Sequence, residues 1–350
     1  MKTKQKLSLG DISVNFPRII LEVLESLGHK SGKLANHFSL NHEFLNTPNA
    51  RISIPKYMRL GHQAIETSQR RDFGLLIGKR TTTTDIGISG LAAMCAQNLE
   101  QSLQFLIEHE PLNSYNSRGS SQFKIESSRA VCQFYSISPY NEYNFFVVDA
   151  MLSTWWQFIQ THTNGRPECH HIEIEYERPS YGNEMEALFR CPVQFGASRN
   201  ALILKRGQHT LPLKSPCVAT FKQMKMLCQT QMRKVAAEKP FTEQVVELIS
   251  QNLTGNPPDI ETIGRKLGMA GWTLRRRLKQ EGSNFQKLLD ETRQALAQSY
   301  VHDTHHNFTE IAFLLGFASP SAFQRAFKRW TGTSPGEQRK QSLWANKINE

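Results

Sequence analysis

IGRKLGMAGWTLRRRLKQEG, Ile263–Gly282, and IAFLLGFASPSAFQRAFKRWTG, Ile311–Gly332, are two copies of one pattern. Ile263 matches Ile311, Leu267-Gly268 matches Leu315-Gly316, and Leu274 and Leu278 match Phe323 and Phe327. The second copy has one extra residue in its turn and another before its final glycine. Each copy predicts a short helix, a turn that needs a residue free to take a left-handed backbone, and a second helix. Ser319-Pro320 is a strong helix start, with a capping hydroxyl followed by proline at the first helical position. Between the copies, Phe285, Leu288, Leu289, Leu296 and Tyr300 recur at near-helical spacing. This predicts a connector helix running from Gly282 towards Thr304, with Ser283 or Asn284 as its cap.

On a helical wheel, Leu274 and Leu278 mark the buried face of the second helix in the first copy. The opposite face carries Trp272, Arg275, Arg276 and Lys279, while Arg277 falls beside the leucines and flanks the core. In the second copy Phe323 and Phe327 are buried, and the opposite face carries Ser321, Gln324, Arg325 and Lys328. Arg276 and Arg325 occupy the same place, as do Lys279 and Lys328. One basic helix face is usually a solvated surface; two matching ones argue for a surface built to meet a polyanion. Arginine pairs bidentately with guanine O6 and N7, and glutamine with adenine N6 and N7. An indole packs on thymine methyls or sugars, and lysine more often meets phosphate. A connector of about 20 residues spans roughly 30 Å. That is close to the 34–36 Å turn of duplex DNA, so the two helices are expected in successive major grooves.

Outward from the repeat, the periodicity is helical from Pro240 to the end. Before residue 230 the element types mix. An early helix is expected after Pro17, and one or two helices within IPKYMRLGHQAIETSQRRDFGLLIGKR, ending at the Phe73-Gly74 turn. Helical spacing continues over GISGLAAMCAQNLEQSLQFLIEH and over EYNFFVVDAMLSTWWQFIQTH. SQFKIESSRAVCQFYSIS and HHIEIEYERP alternate as strands do. Thr220–Pro240 reads as a charged helix, either a linker or part of a dimer contact. The net charge of +11 suits a polyanionic partner. Most of the basic excess precedes residue 240, however, so the local cluster at 275–279 carries the inference. No apolar run is long enough to cross a membrane, and the N-terminus has no secretory apolar segment. The six cysteines form no CxxC pair, which points to reduced thiols in the cytoplasm.

LRRRLKQEGSNFQKLLDETR and TEIAFLLGFASPSAFQRAFKRWTGTSPGEQR resemble the DNA-binding domain of AraC/XylS-type transcription regulators, over about residues 241–342. The resemblance implies seven helices forming two helix-turn-helix units bridged by a long helix. It implies binding to double-stranded promoter DNA, often as an activator beside RNA polymerase. Carried over by residue, the major-groove positions fall on Trp272, Arg275 and Arg276, then on Pro320, Ser321, Gln324 and Arg325. Pro320 offers no side-chain donor, which weakens base reading by the second unit. DFGLLIGKR, GISGLAAMCAQNLEQSLQFL and CPVQFGASRNALILKRGQHTLPL, within about residues 20–215, resemble the arabinose-binding-type N-terminal domain of the ornithine- and virulence-regulator branch. That domain implies effector binding, dimerisation or both, without implying arabinose.

The expected architecture is an α+β regulatory domain over residues 15–230, followed by an all-α DNA-binding domain over 238–343 with two helix-turn-helix units joined by a long helix. The alternatives are a repressor of the same family, an enzyme or small-molecule-modifying domain fused to a DNA-binding module, or an architectural or RNA-binding protein. No GxSxG, HExxH or GxxxxGK[ST] pattern supports an enzyme, and no cofactor is implied. Cys169-His170-His171, with His162 nearby, has metal-ligating residue types. Adjacent residues on a strand point to opposite faces, so no metal is expected. Cys95 lies in an apolar helical stripe and reads as core. Tyr143, Phe145, Phe146, Trp155, Trp156 and Phe158 read mostly as core, with an effector pocket as the alternative. Arg199, Lys205 and Arg206 are placed for solvent or for an acidic effector.

Overall fold

A computed structural model describes residues 10–116, 119–136, 144–237, 240–253, 255–303 and 307–340. Tyr143, Thr304 and residues 238, 239 and 341–343 of the expected DNA-binding domain lie outside the described residues. The chain divides into two compact units, Gly10–Ala236 and the residues from Ala237 onward.

The first unit is α+β and holds two sheets. In the small one, β1 (Gly10–Ser13) lies between β2 (Arg51–Ser53) and β3 (Ser114–Asn116), antiparallel to both. Five helices lie between β1 and residue 81: α1 (Asn15–Ser26), α2 (Gly32–His37), α3 (His42–Leu45), α4 (Ile54–Ser68) and α5 (Phe73–Arg80). Phe73-Gly74 therefore opens a helix rather than closing one. The reason is packing. A Cβ on Gly74 would stand 2.6 Å from the Phe146 carbonyl oxygen, and one on Gly78 would stand 1.8 Å from Ser153 Oγ. The two glycines let α5 press against α8 (Phe145–His162) at backbone distance. The apolar stripe before Glu108 is also two helices, α6 (Gly87–Ala93) and α7 (Leu99–Glu108). The break is at Asn98, whose side chain caps α7 by accepting from the Gln101 N–H at 2.9 Å.

The larger sheet has the order β4-β5-β8-β6-β7, from β4 (Gly119–Glu126), β5 (Arg129–Ser136), β6 (Cys169–Glu173), β7 (Val193–Gln194) and β8 (Asn200–Leu204). All pairs are antiparallel except β6 with β7. The expected alternating segments form β4, β5 and β6. The expected helix between them is α8, which crosses from β5 to β6, with β8 inserted between these two strands. The helices α9 (Gly182–Phe189) and α10 (Val218–Ala237) complete the unit.

The unit's two larger apolar cores share α8. Phe146 and Ala150 pack with Ile20, Leu24 and Phe73, while Val148, Leu152, Trp155, Trp156 and Phe158 pack with Leu103, Cys132 and Leu202. Four of the aromatics named from sequence are thus core, and Phe145 stacks on Tyr176 with ring centroids 3.9 Å apart. Asp149, fully buried on the same helix, accepts from the hydroxyls of Tyr176 and, at 2.7 Å, Tyr181. Burial pushes its carboxyl up to about 7, against the opposing pull of those two hydroxyls, with Asp72 adding to the rise.

The second unit has no β-strand among the described residues. Its helices are α11 (Phe241–Gln251), α12 (Ile260–Lys266), α13 (Gly271–Gln280), α14 (Phe285–Asp303), α15 (Phe308–Leu314) and α16 (Pro320–Thr331), and residues 335–340 are helical as well. One core holds them: Val245 and Ile249 of α11, Leu274 and Leu278 of α13, Leu289 and Leu296 of α14, and Phe323 and Phe327 of α16.

Candidate nucleic-acid interface

The first helix-turn-helix is α12 and α13. Asp259 caps α12 by accepting from the Thr262 N–H at 2.7 Å, and the Thr262 hydroxyl, then this N–H, hold its carboxyl below the usual range. The turn is left-handed at Gly268, with φ +67°. Met269 N–H then donates back to the Gly264 carbonyl at 3.0 Å. A Cβ on Gly264 would meet the Met269 carbonyl oxygen at 2.7 Å, so the turn needs two glycines. Glu261, on α12, accepts from the Gly271 N–H at 3.1 Å and caps α13 from outside. At the far end Glu281 accepts from the N–H groups of Phe241 and Thr242, capping α11. The Arg277 guanidinium lies 4.0 Å from the centroid of the Phe241 ring. Arg277 thus flanks the core, as its wheel position predicts.

The second unit repeats this plan with different residues. Asn307 and Glu310 make a reciprocal capping box at the start of α15. Gly316 takes the turn at φ +66°, and the Ser319 hydroxyl caps α16 by accepting from the Ala322 N–H at 3.2 Å, with Pro320 in the first turn. Arg293 of α14 donates to the carbonyls of Leu315 at 2.9 Å and Gly316 at 2.7 Å, and lies over the Phe317 ring at 4.7 Å. The long helix therefore fastens the second turn directly. The cap of α14 is Asn284, which accepts from the Lys287 N–H at 2.9 Å. Nineteen residues of α14 give about 28 Å of helix.

The outward faces carry the residues expected of them. Leu274, Leu278, Phe323 and Phe327 are wholly buried. Trp272 is 64 % exposed, and Arg275, Arg276 and Lys279 are exposed around it. The Arg276 guanidinium stands 5.3 Å from the Trp272 ring centroid. Ser321, Gln324, Arg325 and Lys328 are exposed in the second copy, while Pro320 is half-buried and the Ser321 hydroxyl lies 3.1 Å from Ser319 Oγ. Among the described residues no carboxylate forms an ion pair with any of these cations. By contrast, Arg18, Arg51, Arg70, Arg80, Arg178 and Arg199 of the first unit all have carboxylate partners. The outward row is donor-rich and open.

The first unit places its candidates differently. Arg199 is taken up by Glu126 and Glu173, which hold its guanidinium from two other strands. Lys205 pairs with Glu168, and Arg206 is exposed. Cys169 points into the core and donates to the Ile203 carbonyl at 3.3 Å. The register shifts between Cys169 and His171, which brings His170 Nδ1 and His171 Nδ1 to 2.6 Å. Strict alternation therefore fails here at a bulge. His162 lies elsewhere, 2.6 Å from Thr83 Oγ1. Among the described residues, no group of three His, Cys, Asp or Glu side chains is placed to hold a metal ion. No described helix is long and apolar enough to cross a membrane. An open cleft of about 410 Å³ lies between the α5–α6 connection and α8. Its lining includes Lys79, Thr82, Thr84, Leu91, Met94 and Phe158, and no Asp or Glu.

Residues 28–213 match the family model of the arabinose-binding domain of AraC transcription regulators, and residues 263–341 match that of a helix-turn-helix domain. The ornithine utilization regulator of Pseudomonas aeruginosa is 25% identical over 332 residues, covering 94% of this chain and 96% of its own. The HTH-type transcriptional regulator VirS of Mycobacterium tuberculosis is 22% identical over 333 residues, covering 91% and 93%. The crystal structure of transcriptional regulator CdpR from Pseudomonas aeruginosa, at 22% identity, covers 89% of this chain and 98% of its own, with a TM-score of 0.44.

Proposed function

We propose a mechanism from one premise: this chain belongs to the family of AraC transcription regulators with an arabinose-binding-type N-terminal domain. It is a sequence-specific DNA-binding transcription regulator. The DNA-binding domain spans residues 238–343 and lays α13 and α16 in successive major grooves on one side of the duplex. Arg275 and Arg276 read bases with Trp272 packed beside them, and Lys279 meets phosphate. In the second groove Gln324 and Arg325 read, Ser321 and Pro320 approach the edge, and Lys328 meets phosphate. One observation supports this assignment: the outward residues Trp272, Arg275, Arg276 and Lys279 and their counterparts Ser321, Gln324, Arg325 and Lys328 are exposed at equivalent positions, and among the described residues none of these cations forms an ion pair.

Residues 15–230 form the regulatory domain, with no catalytic role. Its cleft is the effector site, and its volume lies within the range of small-molecule pockets. The name of one relative points to ornithine for that protein. Here Lys79 stands on the wall with no carboxylate to receive a free ammonium, so a neutral or anionic effector fits better. The protein acts in the cytoplasm as an activator beside RNA polymerase, as a homodimer. A repressor results if its site overlaps the promoter. Genome-wide mapping of DNA bound by the native protein, with transcript changes in a deletion strain, tests this. A recurrent site upstream of genes whose transcripts fall on deletion is expected; binding without a recurrent sequence contradicts it.

A further inference from the structure

Cys95 and Cys217 stand side by side in the first unit. The Cys217 N–H donates to the Cys95 carbonyl at 3.0 Å. Standard bond lengths then hold the two Cα atoms within roughly 7 Å, against about 4.4–6.8 Å in disulfides. Cys95 is half-buried in the turn between α6 and α7, not sealed in the core, and Cys217 is exposed. Cys217 is also the residue on which α10 starts, because its carbonyl accepts the Phe221 N–H at 2.8 Å. Its sulfur lies 3.1 Å from the Thr220 hydroxyl. That hydroxyl, with the N–H groups of Thr220 and Ala219, holds the thiol below its ordinary value. Burial, and then the neighbouring Cys217 charge, raise the Cys95 thiol. Burial also raises Cys132 and Cys228, the latter to about 11. The accessible thiol is thus the one lowered, and the second cysteine stands across a backbone hydrogen bond from it.

We propose that Cys95 and Cys217 are a redox-active pair, oxidised by a hydroperoxide to a reversible disulfide at the root of α10. The Cys217 thiolate attacks a peroxide oxygen, the O–O bond breaks, and the leaving oxygen departs as alcohol or water after taking a proton. Cys217 becomes a sulfenic acid. The Cys95 sulfur then loses its proton and attacks Cys217 Sγ, and the S–O bond breaks with release of water. The two thiols lose two electrons and two protons, and the hydroperoxide takes both. A dithiol reverses the bridge by exchange. The bridge pins the start of the helix that leads, through Ala237, to the DNA-binding unit at Phe241.

The test uses the unaltered full-length chain. Reduced protein is treated with equimolar hydrogen peroxide, blocked with N-ethylmaleimide at acid pH, digested, and mapped by mass spectrometry. The expected result is loss of two thiols, one Cys95–Cys217 cross-linked peptide, and its disappearance with dithiothreitol. Before oxidation, Cys217 is the first of the six cysteines to alkylate. Cys95→Ser keeps Cys217 reactive and gives a dimedone-trapped sulfenic acid in place of the bridge. A first bridge between Cys169 and Cys191, whose thiols lie against each other, a Cys217 bridge to another chain in place of Cys95, or Cys217 alkylating no faster than Cys132 overturns the proposal.

Discussion

Replacing Arg276 by alanine separates recognition from folding. The guanidinium is exposed, forms no ion pair, and touches only the edge of its own helix face through the Trp272 ring. Its removal opens no cavity and leaves no buried group unpaired, so folding stability stays within about 0.5 kcal/mol. On DNA the loss is larger. A bidentate arginine–guanine pair discriminates by about 1–3 kcal/mol, which is about 5- to 150-fold in affinity. Arg325→Ala costs less, under about fivefold. The second row begins with a half-buried proline that has no donor, and with a serine hydroxyl already placed on Ser319. Fluorescence anisotropy on the mapped site and on a scrambled duplex, over a range of salt, reads both effects. Arg276→Ala lowers affinity for the site more than for the scrambled duplex. Lys279→Ala lowers both alike and reduces the salt slope by about 0.9. Comparable losses from Arg276→Ala and Arg325→Ala refute the claim that the first unit dominates. An equal loss on the scrambled duplex refutes base reading by Arg276.

Two further outcomes follow from buried polar contacts. Arg293→Ala removes the donors to two turn carbonyls and the cation over Phe317. It lowers the stability of the second unit by about 2–3 kcal/mol. Arg293→Lys recovers little, because one ammonium does not reproduce the forked pairing; thermal melts followed by circular dichroism read both. Asp149→Asn flattens the pH dependence of the first unit's unfolding. The Asp149 carboxyl titrates near 7 when folded and near its ordinary value when unfolded, so the folded state binds the extra proton between about pH 4 and 7. Its contribution is therefore full below pH 4 and is lost as pH rises through 7. A wild-type melting temperature that rises across that window by more than the Asp149→Asn value contradicts the assignment.

The helix-turn-helix pair was legible because its signals are local. Glycine, apolar spacing and a cap such as Ser319 with Pro320 all sit within four residues of what they act on. The wheel also placed Arg277 beside the core, where it packs on Phe241. Arg293 was missed because its carbonyl partners lie 22 and 23 residues away, and alone it reads as one more solvated helix residue. Glu261 and Glu281 cap helices other than their own for the same reason. In the first unit, Phe73-Gly74 suggested a turn, yet the work of Gly74, like that of Gly78, is close packing against α8, which only the fold reveals. Asn200–Leu204 is a short, wholly buried run, and periodicity does not tell such a strand from a helix segment. β1, β2 and β3 are too short to alternate visibly. Arg199 offered a free cation in sequence and is matched by glutamates from two distant strands.

Methylation interference at guanine N7 on the mapped site tests the two-groove geometry most directly, because N7 is exposed only in the major groove. Two clusters of interfering guanines are expected on one face of the duplex, about 10–10.5 base pairs apart centre to centre. The cluster under α13 weakens in Arg276→Ala and the one under α16 in Arg325→Ala. A single cluster, or two clusters on opposite faces, contradicts that geometry.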